Sequence, residues 1–490
     1  SKNFVGVLAT FTNAGRLVDA SVEGTATQDG YVYVRVRMTA AQYYDHKVEK
    51  IKPESVLARR VNALSSVPEN RMQATIERLP FELDNYADYN FNPVSQDNVV
   101  IAGDYVYVVG VSLGRNPMIL QRSIYGGAWQ KFDLSTIAGN PFHSPNEPDG
   151  HNLFSLVVTK EGYVIVAGNM HAHPCRAAIT TNPHDISAWE AISFTAFDLI
   201  TYPRFVTFSD GTVCAFYRVG RSGDGAYYMS TFDDATKTFI NETKIIDATD
   251  SNPYEQRIVV DDNDRLHLCW GYRQSAGNAD TNYGMFYGVS ADKGQTFTSA
   301  AGSASFALPM TESNSERIAN IAQSSGYVNQ CGSCTDVENR FQTVIWQHQA
   351  NGRTQVVRIR WTGSGWATDI LTDYEFTVIT ATNILVPIAS RPVLARSRYG
   401  RVFMLYHTTQ MGRENQIRAV DCTDPDNLVE WLVGTYNPGA QELVVNTSIA
   451  REHNQLMIML SRGPSYTGTD TSTEPYTAEP AHLLTAVLPS

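Results

Sequence analysis

Seven β-turn dipeptides divide this chain into units of similar length, and that repeat limits the available folds more than any other feature. They stand at Gly103-Asp104, Glu161-Gly162, Asp210-Gly211, Asn263-Asp264, Asn339-Arg340, Tyr399-Gly400 and Asn454-Gln455. An apolar run precedes each turn. A strand-like stretch follows it: Tyr105–Val109, Tyr163–Ala167, Thr212–Tyr217, Arg265–Trp270, Phe341–Trp346, Arg401–Tyr406 and Leu456–Leu460. Successive turns lie 49 to 60 residues apart, apart from one interval of 76. Strands and tight turns at that period predict an all-β, seven-bladed β-propeller. Such a ring brings the loops of neighbouring blades around one mouth, so residues distant in sequence can share a site.

The repeat occupies 91–490, and 1–90 reads as an accessory N-terminal segment. That segment opens with strand-like runs, Phe4–Thr10 and Tyr31–Met38. Helices are expected over Glu54–Leu64 and, after Pro68, over Glu69–Arg78. The wide interval before Asn339 implies an insertion around Ser313–Thr335. Gly463–Glu479, rich in Ser, Thr, Pro and Gly, reads as a surface loop. In the fourth repeat, Ser290-Ala-Asp-Lys-Gly-Gln-Thr-Phe297 matches the Asp-box pattern S-x-D-x-G-x-T-[WF], a hairpin turn tied by its own side chains. It speaks for architecture and hardly at all for chemistry.

The net charge of −12 argues against nucleic acid or an anionic membrane as partner, though not against an anionic sugar in a locally basic cleft. No apolar run approaches the ~20 residues of a membrane span. The first residue is Ser1, which fits a trimmed leader and a secreted or extracellular protein, with a virion surface as the alternative. Six cysteines in 490 residues are too few for a disulfide scaffold. Cys214 and Cys269, inside apolar strands, are expected as buried thiols.

Polar titratable residues gather in repeats two to four. His151-Asn152 precedes an apolar run, and His171 and His173 follow the next strand. Repeat three opens on Thr201-Tyr202-Pro203, and its second strand ends at Tyr217-Arg218. Repeat four has Tyr254 at its entry and Tyr272-Arg273 at the matching end. The start of the first strand and the end of the second are neighbours in an antiparallel hairpin. Three blades thus aim His, Tyr and Arg at one rim. Arg pairs with a carboxylate, while His and a Tyr beside a cation exchange protons. These are the functions that β-elimination of a 4-linked uronate requires. Hydrolysis usually needs paired carboxylates, and no convincing pair stands at these positions.

The stretches Ile200-Thr-Tyr-Pro-Arg-Phe, Phe216-Tyr-Arg-Val-Gly-Arg-Ser-Gly-Asp-Gly and Arg265-Leu-His-Leu-Cys-Trp-Gly-Tyr-Arg, with the Asp box, resemble the BNR-4 type of repeat. Within it they are most similar to the ulvan lyases of polysaccharide lyase families 24 and 25, which are seven-bladed propellers. The resemblance covers about residues 95–310. It implies that His151 and His171 match the two active-site histidines, Tyr202 the catalytic tyrosine, and Arg218 the arginine that neutralises the carboxylate. Tyr254 and Arg273 fall near its further substrate-contacting positions, and Asn152 and Tyr272 beside these sites are expected to bind substrate as well. On this basis Tyr202 is the expected principal proton-transfer residue and His151 its partner, with His171 positioning the substrate or assisting. No cofactor is required for catalysis. A structural metal, zinc or calcium, has His173, Cys175, Cys331, Cys334 and His348 as candidate ligands; zinc is what the resemblance implies, and Cys-x-x-Cys needs two further ligands.

The resulting expectation is a polysaccharide lyase that cleaves an anionic, uronate-containing glycan and leaves an unsaturated end. Two alternatives stand beside it. One is a sialidase-like glycosidase, favoured by the Asp box, for which no arginine triad or Tyr/Glu pair can be assembled. The other is a glycan-binding propeller of a larger assembly such as a phage tailspike. Each residue also has a plain reading. A Tyr-Pro at a strand start is often a packed ring beside a rigid turn, Arg218 could pair with a neighbouring blade, and His267, inside a strand, is expected to be a satisfied core histidine.

Overall fold

The computed structural model describes residues 69–82, 96–143, 153–377, 390–408, 413, 415–436, 442–460 and 480–490, with the backbone of four short strands before them. Two compact units result, Ser1–Asn70 and Arg71–Ser490. In the first, Lys2–Gly6 pairs antiparallel with Val22–Ala26, and Val32–Val36 with Val56–Arg60. The second unit is the propeller.

Its sheets follow one another along the chain, each an antiparallel meander. The first blade is Val99–Ala102, Tyr105–Ser112, Asn116–Ser123 and Gln130–Asp133. The second is Phe154–Val158, Val164–Gly168, Ala177–Asn182 and Asp185–Ile192. In the third, Ile200–Thr207, Val213–Arg221, Asp224–Asp233 and Thr238–Ile246 are joined by the short strand His171–His173. The fourth is built on Asn252–Glu255, Leu266–Arg273 and Asn282–Ser290. Axial strands such as Phe154–Val158 and Val393–Arg396 are buried throughout, because a neighbouring blade covers each face. Outer strands such as Asp185–Ile192 are mostly half-buried or exposed. The core accordingly lies between blades, as where Val157, Ile165 and Ile179 meet Phe205, Ala215 and Tyr217.

The turn signals have a common geometry. The N–H groups of Gly162, Gly211, Asp264, Asn339 and Gly400 bond the carbonyl three residues back at 2.9–3.1 Å. Each of these residues has a positive φ, between 58° and 92°. That conformation is open to Gly and tolerated by Asn and Asp, which is why those residues mark the repeat.

Three expectations need correction. Among the described residues six sheets, not seven, are complete blades of four or more strands. At the seventh place stands a three-stranded sheet in the order Gln455–Leu460, Pro480–Val487, Gln73–Glu82. Its axial position is taken by buried residues outside any ladder, Leu443–Val445, and by the helix Thr447–His453, capped by the Asn446 side chain. Asn454 is thus the left-handed end of a helix rather than a hairpin turn. Second, Glu69–Arg78 is not helical. Gln73–Glu82 pairs with Pro480–Val487, so the ring closes with an N-terminal strand, and the compact unit begins at Arg71 rather than near 91. Third, within Glu54–Leu64 the described residues Val56–Arg60 are a strand, paired to Val32–Val36.

The wide interval before Asn339 comes from extra strands in the fourth blade. Phe297–Thr298, Ser305–Phe306 and Glu316–Ala319 extend it before Ser333–Thr335 opens the fifth. The Asp box begins this extension. Ser290 Oγ accepts from Gly294 N at 2.7 Å, and the Asp292 carboxylate accepts from Thr296 N at 2.8 Å and Thr296 Oγ1 at 2.6 Å. Replacing Asp292 by Ala should destabilise the protein by about 1–3 kcal/mol in denaturant unfolding, because the turn loses its acceptor.

Candidate active site

The site grows from a bulge in the third blade. Thr201 faces Arg218 across the ladder, but the next pair is Arg204 with Phe216, so the first strand carries one extra residue around Tyr202-Pro203. Pro203 has no N–H to leave unpaired, and its carbonyl accepts from Ser155 Oγ at 2.7 Å. Tyr202 takes up the distortion with φ +59°, uncommon for a bulky residue. Its buried ring lies 4.8 Å from the Arg218 guanidinium carbon.

Arg218 is 1% exposed. Its Nη2 donates to Thr201 Oγ1 at 3.2 Å, while Nε and Nη1 make no hydrogen bond. Burial lowers its pKa, but the neighbouring phenols Tyr254, Tyr202 and Tyr227 outweigh that and raise it. The site therefore holds a fixed positive charge with two unused donors.

The fourth blade supplies the opposite wall. Asn252 faces Arg273 and Tyr254 faces Gly271. The Tyr254 ring is 6.2 Å from that of Tyr202 and 5.6 Å from the Arg218 guanidinium carbon, and Arg273 lies 4.3 Å over it. The Tyr254 hydroxyl accepts from Arg273 Nη1 at 3.2 Å and lies 3.2 Å from Ser222 Oγ. Burial works to raise the Tyr254 pKa, yet the charges of Arg273 and Arg218 outweigh it and bring the phenol down to about 8. Arg273 is oriented by Asn282 Oδ1 at 2.8 Å and by Asn329 Oδ1.

His171 belongs to this constellation through its backbone. The strand His171–His173 pairs with Ile200–Thr201, and Ala172 N donates to the same Thr201 Oγ1 that receives Arg218, at 2.9 Å. His171, Tyr202, Arg218, Tyr254 and Arg273 are thus brought together. His151 and Asn152 lie outside the described residues. Tyr272 is not brought in: strand alternation turns it away from Arg273. Its hydroxyl donates to Asp247 O at 3.1 Å, and its ring packs on Tyr283 and Phe286.

The metal candidates do not assemble. His173 Nδ1 accepts from His171 N at 3.2 Å, and His348 Nδ1 lies 2.9 Å from Thr354 Oγ1. Cys331 and Cys334 are buried in the apolar cluster between the fifth and sixth blades, and burial pushes their thiols up. Among the described residues no three His, Cys, Asp or Glu side chains form a metal-binding group. No described helix is long and apolar enough to cross a membrane.

Residues that sequence reasoning passed over support the tyrosines. Ser222 lay within the repeat motif, but nothing marked it as a partner of Tyr254. Asn329 lies in the segment read as an insertion. Behind Tyr254, Glu255 is fully buried, 3.8 Å from Arg204, with both carboxyl oxygens lacking hydrogen bonds. Burial lifts its pKa to about 8 against the pull of Arg204. A raised carboxyl pKa means the native state binds the extra proton, so stability falls as pH rises from the unfolded value of about 4.3 through 8. Glu255→Gln mimics the protonated form. It should be near neutral in denaturant unfolding below about pH 4, increasingly more stable than the parent as pH rises from there to 8, and level above that.

At the other end of the axis a cavity of about 680 Å³ is bordered by the blade turns. Of the arginines that line it, Arg257 is engaged by Asp97 at 2.7 Å and Arg396 by Asp262 at 2.6 Å.

The molecule is a β-propeller with a cationic, tyrosine-lined site on one rim. Residues 106–374 match the model of the BNR repeat-containing family (BNR_4), and the chain belongs to that family. A curated relative, the long isoform of ulvan lyase from Glaciecola sp. (strain KUL10), is 30% identical over 102 residues, 19% of this chain. The match spans about a tenth (10%) of that relative's length. Among solved structures, an ulvan lyase of family PL25 superposes with TM-score 0.62 at 14% identity, over 78% of this chain and 92% of that one. The polysaccharide lyase Uly1 gives 0.58 at 11% identity, over 86% of this chain and all of that one (100%). At such identities the likeness is one of fold.

Proposed function

We propose that the protein is a polysaccharide lyase that cleaves an anionic, uronate-containing polysaccharide by β-elimination. The observation that carries this reading is Arg218: a buried guanidinium with two unused donors, between two tyrosines. A uronate carboxylate seated on Arg218, with the charge of Arg273 nearby, is neutralised, which acidifies the adjacent C5–H. Tyr254, whose phenol ionises near 8, removes the C5 proton. The C–H electron pair becomes the C4=C5 double bond, the C4–O4 bond breaks, and O4 takes a proton. Tyr202 is the donor in this scheme, with His151 as its partner on the grounds of the sequence motif and His171 positioning the sugar.

The relatives supply the substrate class. One solved ulvan lyase of similar fold is described as bound to -[GlcA(1-4)Rha3S]-. We propose an ulvan-like polymer and, since a polymer must be met outside the cell, a secreted protein. A hydrolase reading finds little support here, because the carboxyl beside the tyrosines, Glu255, is buried and offers no second carboxylate across a cleft.

The test is incubation with ulvan, heparan-type and bacterial capsular uronates, following ultraviolet absorbance of the unsaturated product. An absorbance rise with one polymer is expected. New reducing ends without absorbance would mean hydrolysis and would sink the elimination mechanism.

A further inference from the structure

We propose that Arg204 is a positioning residue of this site: it pins the strand carrying Tyr202 to the strand carrying Tyr254 and so sets the spacing of the two phenols around Arg218. The inference deepens the lyase reading and rests on it for its kinetic test. Arg204 stands two residues after Tyr202, just past the bulge. It is 1% exposed, and its Nη1 donates to Gln256 O at 2.6 Å and its Nη2 to Glu255 O at 3.4 Å. Those carbonyls belong to the two residues that follow Tyr254. One planar guanidinium therefore ties both tyrosine-bearing strands at their first residues below the rim.

The other side of the bulge is held as well. Ser155 Oγ donates to Pro203 O and accepts from Gln96 N at 3.1 Å, and Phe205 N donates to Gln96 O at 3.3 Å. The Gln96 amide bonds Ile258 O at 2.8 Å and Ile258 N at 3.1 Å. The distorted strand is thus fixed between the second and fourth blades, and Arg204 is the member that reaches past Tyr254.

The plain alternative is that Arg204 only balances the charge of Glu255. Geometry disfavours it, since the 3.8 Å separation includes no hydrogen bond and the carboxyl oxygens have no partner. A buried ion pair is moreover often replaceable by apolar groups without loss of stability. Arg204 makes its bonds to backbone carbonyls, and those bonds constrain where the strands lie.

The experiment is the double variant Arg204→Met/Glu255→Gln, which removes both groups and leaves no unpaired buried charge, with Arg204→Lys beside it. The double variant is expected to stay folded, because removing the buried charges offsets the loss of the two hydrogen bonds to carbonyls. Its kcat should fall about ten- to a hundredfold, the scale of a modest misplacement of reacting groups, with KM changed less than about twofold. Arg204→Lys, able to bond one carbonyl, should be intermediate. A double variant with the parent kcat would overturn the proposal.

A second readout does not depend on the lyase reading. The ionisation of Tyr254, taken as the titration difference with and without Tyr254→Phe in each background, should move upward from about 8 in the double variant as the phenol moves away from Arg218 of the neighbouring blade. An unchanged midpoint would overturn the positioning role even if no polymer is cleaved. A parent protein that forms no unsaturated product, together with a shifted midpoint, would sink the lyase reading and leave the clamp standing.

Discussion

Arg218→Met is expected to lower kcat/KM on a uronate polymer by at least about a thousandfold, the largest effect of any single substitution in the site. The elimination proposed here must form negative charge at C5, next to a carboxylate that is already negative. A cation held against that carboxylate makes the step accessible. Arg218 is buried, so its field is weakly screened, and its Nε and Nη1 are uncommitted. Nothing else in the described site combines those properties. Arg273 is charged, but its three nitrogens already bond Asn282, Tyr254 and Asn329.

Arg218→Lys should fare little better than Met. The ammonium keeps the charge but not the planar fork, and cannot sit flat against both tyrosine rings. Loss of fold is a separate outcome, detected by unfolding midpoints. Met fills most of the volume and removes a costly buried charge, so the variant should remain folded. Initial rates of unsaturated product, measured on folded variants, decide the matter. A loss below about tenfold would show that the carboxylate is neutralised elsewhere.

The sequence made the ring legible because its signals are local. A left-handed turn residue favours Gly, Asn or Asp wherever it sits, so Gly162, Gly211 and Asp264 mark the same turn in successive blades. Pairing across a hairpin is nearly as local, and Thr201 facing Arg218 follows once the turn is placed. The histidine set aside as structural is so: His267 has both ring nitrogens engaged, by Tyr287 at 2.6 Å and Asp261 at 3.0 Å. What the sequence could not show depends on contacts made late in the chain. Gln73–Glu82 has no strand character that could be read without Pro480–Val487 beside it. The axial place of the last sheet is filled by a capped helix turn rather than a ladder. Within the site, Tyr272 and Arg273 are neighbours in sequence and opposites in space, and no motif says which one faces the rim. The fold was readable at the level of turns, and the site at the level of which blades carry it.

The same limit affects the choice between Tyr202 and Tyr254. The motif singles out Tyr202, while the charges single out Tyr254. Its phenol accepts from Arg273 and faces Arg218, and those two cations bring its ionisation to about 8 despite burial. If Tyr254 is the base, kcat/KM should rise about tenfold per pH unit up to a midpoint near 8 and then level off. The sign follows from the chemistry, since the reactive form is the phenolate and its fraction grows with pH. Tyr254→Phe should remove that limb and lower kcat by about 10²–10⁴ while retaining oligosaccharide binding, because only the hydroxyl is lost. Tyr202→Phe should also lose turnover, but its residual rate should keep the rise through pH 8, because an acid that delivers a proton to O4 does not generate that limb. The opposite pattern, with the limb lost in Tyr202→Phe and kept in Tyr254→Phe, would exchange the two roles. A glycan-binding protein without catalysis would show neither effect, and binding by both variants would match the parent. The depressed phenol pKa also enters stability. Its contribution is fully present above the unfolded value of about 10 and is lost as pH falls through 8. At pH 7 the linkage term is therefore already absent, and kinetic loss in Tyr254→Phe measured there cannot be assigned to it.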